Sequence, residues 1–550
     1  MTGPPSYLVV GSGASAVTVA AVLAAQPQHR VTVLDLGGRL EDQQQQALQR
    51  LSVSDPVGWA PPDLALVSAR SAGRGSRGIP QKRAYGSDYP FRDLGQTTGV
   101  RGEPADTNLD VVSSAYGGFT TVWGAQVMPF SRSTFDAWPF SWQEMEPHYR
   151  AVLDEVPLAG EDDDLAEVFP LLNPRSPLPP LGPRAEDVLA RTARHREALR
   201  RHGVIVGRAR LALRADGCTR CGLCMTGCPY SLIYSAAQTM DWLRRLPNVR
   251  YLDRLLVERI GQDGDEAVVR ARELGSDRRH EFRADRLFVG AGALGTTRLV
   301  LGSLPDPPAS LELAESRQFL VPFVSARPVA DPRRAGTQDF TLNQFNILVS
   351  FDEQARDTSQ VHCYPYNPAM LDALPLPLRS GPGAAAAGAL VRRLTVGFGY
   401  LPSWASPTVR VVPRAVGFDE LPEVTLVPDE TTPRPPMLRA VMRRLQAAAP
   451  RLDLWPLRTH VTLTGAGKSY HFGGAFPHRS SPAEGRTPGT DRWGRLPQWD
   501  RVHLVDGSVL PTLASTTFTL TVMANATRIA TEVLDGRATT TSTASVQSAR

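Results

Sequence analysis

Residues 7 to 35 restrict the fold of this chain more than any other stretch. An apolar run, Tyr7-Leu8-Val9-Val10, leads into the turn Gly11-Ser12-Gly13-Ala14-Ser15-Ala16. An Ala/Val-rich segment follows through Ala25, and a second apolar run, Val31-Thr32-Val33-Leu34, ends at Asp35. Short apolar runs bounded by turn residues read as buried strands, so the unit is predicted to be strand, helix, parallel strand. The spacing suits a dinucleotide. Gly11 allows the tight turn, Gly13 lets backbone approach a pyrophosphate at the helix N-terminus, and Ala16 is small enough for close helix–sheet packing. Asp35 stands where a carboxylate accepts the ribose hydroxyls of an adenosine. An ordinary glycine turn in an α/β protein is the alternative, and the acid at the end of the second strand weighs against it.

A second strand ends in glycines at Asp285-Arg286-Leu287-Phe288-Val289-Gly290-Ala291-Gly292-Ala293-Leu294-Gly295, ahead of an amphipathic helix with Leu299, Val300 and Leu301. Between 249 and 287, strand-like runs such as Val268-Val269 alternate with Gly/Asp turns, predicting a small sheet. Residues 311 to 465 differ: Pro-rich connections separate runs such as 345–350 and 394–400, predicting a sheet-forming insertion. The Ser/Thr-rich residues 538–550 are expected to be disordered. At 550 residues the chain exceeds one small core, and two interleaved domains are expected.

A net charge of +5 is mild for this length, and only Lys82 and Lys468 among the basic residues are lysines. The arginines are scattered and form no basic stripe alternating with aromatics, so no nucleic-acid partner is expected. No charged start and apolar core precede the first strand, and no apolar run is long enough to span a bilayer, the stretch around Ala384 to Ala389 included. A cytoplasmic protein without a membrane span is the expectation. Five cysteines, four of them clustered, fit a reducing compartment.

Those four stand as Cys218-x2-Cys221-x2-Cys224-x3-Cys228, with Pro229 following, the spacing by which bacterial ferredoxins hold an iron-sulfur cluster. Deprotonated sulfurs at this spacing can wrap a cubane. In two-cluster ferredoxins the fourth cysteine serves the other cluster, and here there is one run. The expectations are a 4Fe-4S centre completed by Cys228 or by Cys363, or a 3Fe-4S centre on three cysteines; zinc and metal-free thiols that shape a loop are the alternatives.

Taken in order, Gly11-x-Gly13, Ala291-Gly292-Ala293, His471-x-x-Gly474, and Asp506-Gly507-Ser508-Val509-Leu510-Pro511 followed by Thr519 to Ala530 resemble the glucose-methanol-choline oxidoreductase family. The motif Tyr116-Gly117-Gly118-x-x-x-Val122-Trp123-Gly124 and the stretch from Trp138-Pro139 to Tyr149 are similar to that family's glycine-rich flavin loop and the segment after it. The match runs over nearly the whole chain, and its C-terminal element is the most specific part. The resemblance implies an α/β (α+β) fold with a Rossmann-like FAD-binding domain and a mainly antiparallel-sheet substrate-binding domain. It implies FAD as cofactor, held by Gly11, Gly13, Ser15, Ala16, Asp35 and Leu36, by Gly117, Gly118, Thr121, Val122 and Trp123, by Val257, Ala291 and Gly292, and by Asp506, Gly507, Thr517, Phe518 and Thr519. It also implies a division into FAD-binding segments 1–140, 217–310 with the cysteine loop, and 470–537, and substrate-binding segments 141–216 and 311–469.

The activity implied is hydride transfer from an alcohol C–H to flavin N5, which needs a base for the hydroxyl proton, and His471 occupies the family's catalytic position. His478 is a competitor in what reads as a surface loop, and His362 reads as a satisfied core histidine. The family's second His or Asn is replaced by Thr517, and Phe518 stands where Pro is common. A threonine hydroxyl can donate one hydrogen bond to a developing alkoxide, with a shorter reach than Asn. An iron-sulfur cluster beside the flavin would relay electrons to an external acceptor, making the enzyme a dehydrogenase. The runs Gln338 to Gln344 and His362 to Asn367 offer polar groups for a sugar-like alcohol, a glycoside or aminosugar of a biosynthetic pathway, although strand residues facing water give the same pattern. The alternatives are an oxygen-using alcohol or sterol oxidase with structural cysteines, a non-redox flavoprotein lyase, and an electron-transfer module without turnover.

Overall fold

The structure is a computed structural model that describes residues 3–69, 82–94, 99–103, 112–276, 278–330, 340–352, 355–365, 383–414, 420–429, 431, 436–467, 469–481 and 488–538. Most of the expected tail and Gln338, Asp339, Tyr366 and Asn367 lie outside the described residues.

Five parallel strands form one sheet, in the order Val502–Leu504, Arg286–Val289, Ser6–Val10, Arg30–Leu34, Val249–Leu252. Both faces are covered, which is why its strands read as continuous apolar runs. Tyr7, Val9, Val33 and Phe288 pack under helices Ala14–Ala24 and Thr519–Leu534. Leu8, Val10, Leu34 and Val289 pack on the other side, in a core shared with helix Ala293–Ser303 and the three-stranded antiparallel sheet of 255–284.

The run from 311 onward feeds two sheets, and each also recruits strands from elsewhere. One holds Phe472–Gly473, Leu311–Glu315, Thr408–Arg414, Glu423–Pro428 and Val100–Gly102. The other runs Trp455–Pro456, Gln318–Val324, Leu394–Tyr400, Thr358–Tyr364, Phe345–Ser350, Val204–Arg208, with Thr462–Leu463 also paired to 318–324. All pairings in this second sheet are antiparallel.

Strand alternation decides what the second sheet presents to each side. Phe319, Val321, Phe323, Ile347, Val349, Val361 and Cys363 share a core with helices Pro183–Arg201 and Met437–Leu452. Gln318, His362, Tyr364, Phe398 and Tyr400 stand at positions of opposite parity and line a cavity. Gly397 and Gly399 interrupt the core face because a Cβ at either would collide with the Phe319 or Phe323 ring. No helix among the described residues is long and apolar enough to cross a membrane.

Candidate active site

One cavity of about 500 Å³ runs from the first glycine turn to His471. At its nucleotide end Gly11 has φ +99°, and a Cβ there would lie 2.6 Å from the Gly290 carbonyl oxygen. Gly13 is different, because no atom lies within 4 Å of where its Cβ would be, and the residue lines the cavity. The two glycine loops abut: a Cβ on Gly118 (φ +59°) would sit 3.1 Å from the Gly13 Cα. Ser12 couples them to the acid, its Oγ accepting from Gly117 N at 3.0 Å and donating to Asp35 Oδ2 at 2.5 Å. Tyr251 donates to the same carboxylate oxygen at 2.8 Å. Burial pushes the Asp35 carboxyl above its ordinary range, with the Ser12 and Tyr251 bonds pulling the other way.

Ser15, Leu36, Val257, Ala291 and Gly292 line the same end, with Gly118, Val122 and Trp123 on the facing loop. Three expected residues stand behind the wall. Ala16 is fully buried beside Gly290, Gly117 holds Ser12, and Thr121 donates to the Gly118 carbonyl. Asp506 and Gly507 line the wall opposite. Asp506 accepts from Thr296 Oγ1 and from Ser508 N at 2.9 Å, which joins the 507–509 turn to the helix after the second glycine strand. A cradle that a Cβ at Gly13 would occupy, a buried acid at the end of the second strand, and two helix N-termini at the wall fit an adenine dinucleotide such as FAD.

At the other end His471 follows a loop tied down by a buried carboxylate. Glu315 accepts from Gly467 N and Ser469 N, each at 2.9 Å, and Ser316 N donates to the His471 carbonyl. The imidazole stacks on Tyr400 (4.6 Å, 15°) and meets the edge of Phe518. Its Nδ1 is sealed and has no hydrogen-bond partner among the described residues. Burial lowers its pKa to about 4. Its base form therefore persists well below pH 6, and a rate that depends on it should titrate near pH 4. We expect kcat/KM to stay flat from pH 7 to 5 and to fall only below that, a profile that steady-state assays across this range would check. Thr517 lines the cavity beside Phe518 and Thr519, but its hydroxyl donates to the Gln126 carbonyl at 2.9 Å.

Two histidines depart from expectation. His478 is not on a surface loop: it is 2% exposed, with Nδ1 at 2.7 Å from the Asp491 carbonyl and Nε2 at 3.0 Å from Asn525 Nδ2. With both nitrogens engaged it is structural. His362 is buried but lines the cavity.

The metal expectation finds no support among the described residues. Among the described residues no group of three or more His, Cys, Asp or Glu side chains is placed to hold a metal ion, and Cys218, Cys221, Cys224 and Cys228 are free thiols. Cys221 packs with Leu51, Trp59 and Tyr230, whereas Cys218 and Cys224 pack on the large core. Burial pushes the Cys221 thiol up to about 12. Cys363 is fully buried, with burial alone raising its pKa. The four sulfurs lie near enough to interact electrostatically, Cys221 with Cys224, Cys228 and Cys218.

Sequence reasoning missed Ser12, Tyr251, Gln126, Gln318, Tyr400 and Lys82. Lys82 lines the cavity and donates to the Trp123 carbonyl at 2.6 Å; burial brings its ammonium down to about 8, while the Cys224 thiol acts to raise it. Its rarity in an arginine-rich chain was the available signal.

No family model matches the sequence, and no curated protein does. The fold resembles solved structures over nearly its whole length. Pyridoxine 4-oxidase from Mesorbium loti superposes with a TM-score of 0.58 at 17% identity, covering 96% of this chain and 99% of that one. An FAD-dependent oxidoreductase from Chaetomium thermophilum, in complex with a butanamide fragment, gives 0.57 at 15% identity with the same coverage. At these identities the likeness shows the fold, the mixed α/β architecture expected above.

Proposed function

We propose that this chain is an FAD-dependent oxidoreductase of the glucose-methanol-choline type that oxidises a CH–OH group, with His471 as the base. The observation that carries this is the cavity that joins the Gly13 cradle to the His471 imidazole. The likeness in fold to a pyridoxine 4-oxidase and to an FAD-dependent oxidoreductase supports it.

When bound, FAD supplies the two-electron acceptor for a hydride. The chain does the rest. Asp35, with Ser12 and Tyr251 on one of its oxygens, would hold the ribose, and the open space at Gly13 beside the helix N-terminus would take the pyrophosphate. Helix Thr519–Leu534 begins at the cavity wall, so its partial positive charge faces the reacting region. His471, neutral at physiological pH, accepts the hydroxyl proton, and the Tyr400 stack together with the Glu315-anchored loop fixes its ring plane.

Gln318 and Thr464 among apolar and aromatic walls support a polyhydroxylated, sugar-like alcohol such as a glycoside or aminosugar. The test is anaerobic. Flavin-loaded protein is mixed with glycosides, aminosugars, pyridoxine and a sterol, and the flavin absorbance is followed. Bleaching by a sugar alcohol supports the reading; bleaching by pyridoxine or the sterol alone replaces the substrate class; a flavin that none of them bleaches overturns the activity.

A further inference from the structure

The position expected to assist the base is already engaged. Thr517 gives its hydroxyl proton to the Gln126 carbonyl, so toward a substrate oxygen it can only accept. A developing alkoxide needs a donor. We infer that His362, contributed by the antiparallel sheet, is that donor, delivering an Nδ1–H hydrogen bond to the oxygen from which His471 takes the proton. The inference rests on the proposed alcohol oxidation.

Three observations support it. First, His362 is 1% exposed yet forms part of the cavity wall, and it packs against the same Tyr400 ring as His471, at 5.0 Å. The two imidazoles are close enough to interact electrostatically. Second, its Nε2 is held from behind. Gln126 Oε1 accepts from Asn343 Nδ2, which turns the Gln126 amide NH2 toward His362 Nε2, 2.8 Å away, and toward Gln360 Oε1. Gln360 Oε1 also lies 2.9 Å from that nitrogen, but it already accepts from Thr516 Oγ1 and the Gln126 amide. A ring nitrogen facing an NH2 must accept, which puts the proton on Nδ1. Third, no described residue accepts a hydrogen bond from Nδ1, and burial keeps the ring neutral, so the proton is available to a ligand.

The chemistry balances without a new reactant. The C–H bond breaks with its electron pair passing as hydride to the flavin, the O–H proton passes to His471, and the carbonyl forms while His362 donates without losing its proton.

The experiment is transient anaerobic flavin reduction by the alcohol that bleaches the wild type, in His362→Leu, Thr517→Val and Gln126→Met. These are paired with 15N spectra of histidine-labelled protein. His362→Leu should slow reduction by about 10²–10³-fold, the cost of one lost oxyanion donor, with flavin content unchanged. Thr517→Val should lose less than a tenth as much. Wild-type His362 should show the Nδ1–H tautomer, and Gln126→Met should disturb it, a readout that survives if His362→Leu fails to fold. Reduction within threefold of wild type in His362→Leu, an equal loss in Thr517→Val, or an Nε2–H tautomer overturns the assignment alone. A wild-type flavin that no alcohol reduces overturns the proposed activity and this inference with it.

Discussion

His471→Ala is expected to slow flavin reduction by about 10²–10⁴-fold, the usual contribution of a positioned general base, while the protein keeps its flavin. The separation of the two effects follows from the geometry. His471 lies at the opposite end of the cavity from the Asp35 and Gly13 contacts, and its Nδ1 has no hydrogen-bond partner among the described residues. The losses to the fold are the Tyr400 stack and the Phe518 edge contact, each worth about 0.5–1.5 kcal/mol. Rapid-mixing reduction and the flavin-to-protein absorbance ratio on one preparation check both halves. A rate within tenfold of wild type would remove His471 from the chemistry. His478 cannot take its place without giving up two hydrogen bonds.

The nucleotide-binding half was legible because its signals are local. A strand buried on both faces is apolar at every position, a tight turn at positive φ demands glycine, and the acid follows at a fixed distance, so Gly11, Gly13 and Asp35 could be placed from 29 residues of sequence. The substrate end was not legible, because its residues are chosen by strand parity in a sheet whose partners lie far apart in the chain. His362 and Cys363 are neighbours in sequence, yet one lines the cavity and the other enters the hydrophobic core. Nothing in the run His362 to Pro365 states which parity faces inward until Val361 and Cys363 are seen packed with Phe319 and Ile347. His478 misled for a related reason. Its flanking Pro477 and Arg479 suggest a surface, but Asn525 and the Asp491 carbonyl come from elements the local sequence does not reveal. The cysteine spacing matches a ferredoxin run, but spacing fixes only the path length between sulfurs. Cys221 packs in the cluster around Trp59 and Cys218 and Cys224 in the one that holds Tyr234, an arrangement that spacing alone does not state.

The contrast between the two glycines of the first turn gives the second large expected effect. Gly13→Val should yield a folded protein that purifies with less than a tenth of the wild-type flavin. The backbone at Gly13 is extended (φ −70°, ψ 179°), which any residue adopts, and no protein atom lies within 4 Å of the added Cβ. The new methyl groups therefore meet no neighbour at the point of attachment and enter the space proposed for the pyrophosphate. Gly11→Val fails by another route. With φ at +99° and the Gly290 carbonyl oxygen 2.6 Å from the Cβ, it strains the turn and pushes two parallel strands apart, so stability falls along with binding. Thermal unfolding of the two apoproteins separates the cases, because only Gly11→Val should unfold well below the wild-type apoprotein. If Gly13→Val keeps its full complement of flavin, the open space at that turn does not hold the cofactor, and the placement of the dinucleotide along Asp35 is wrong.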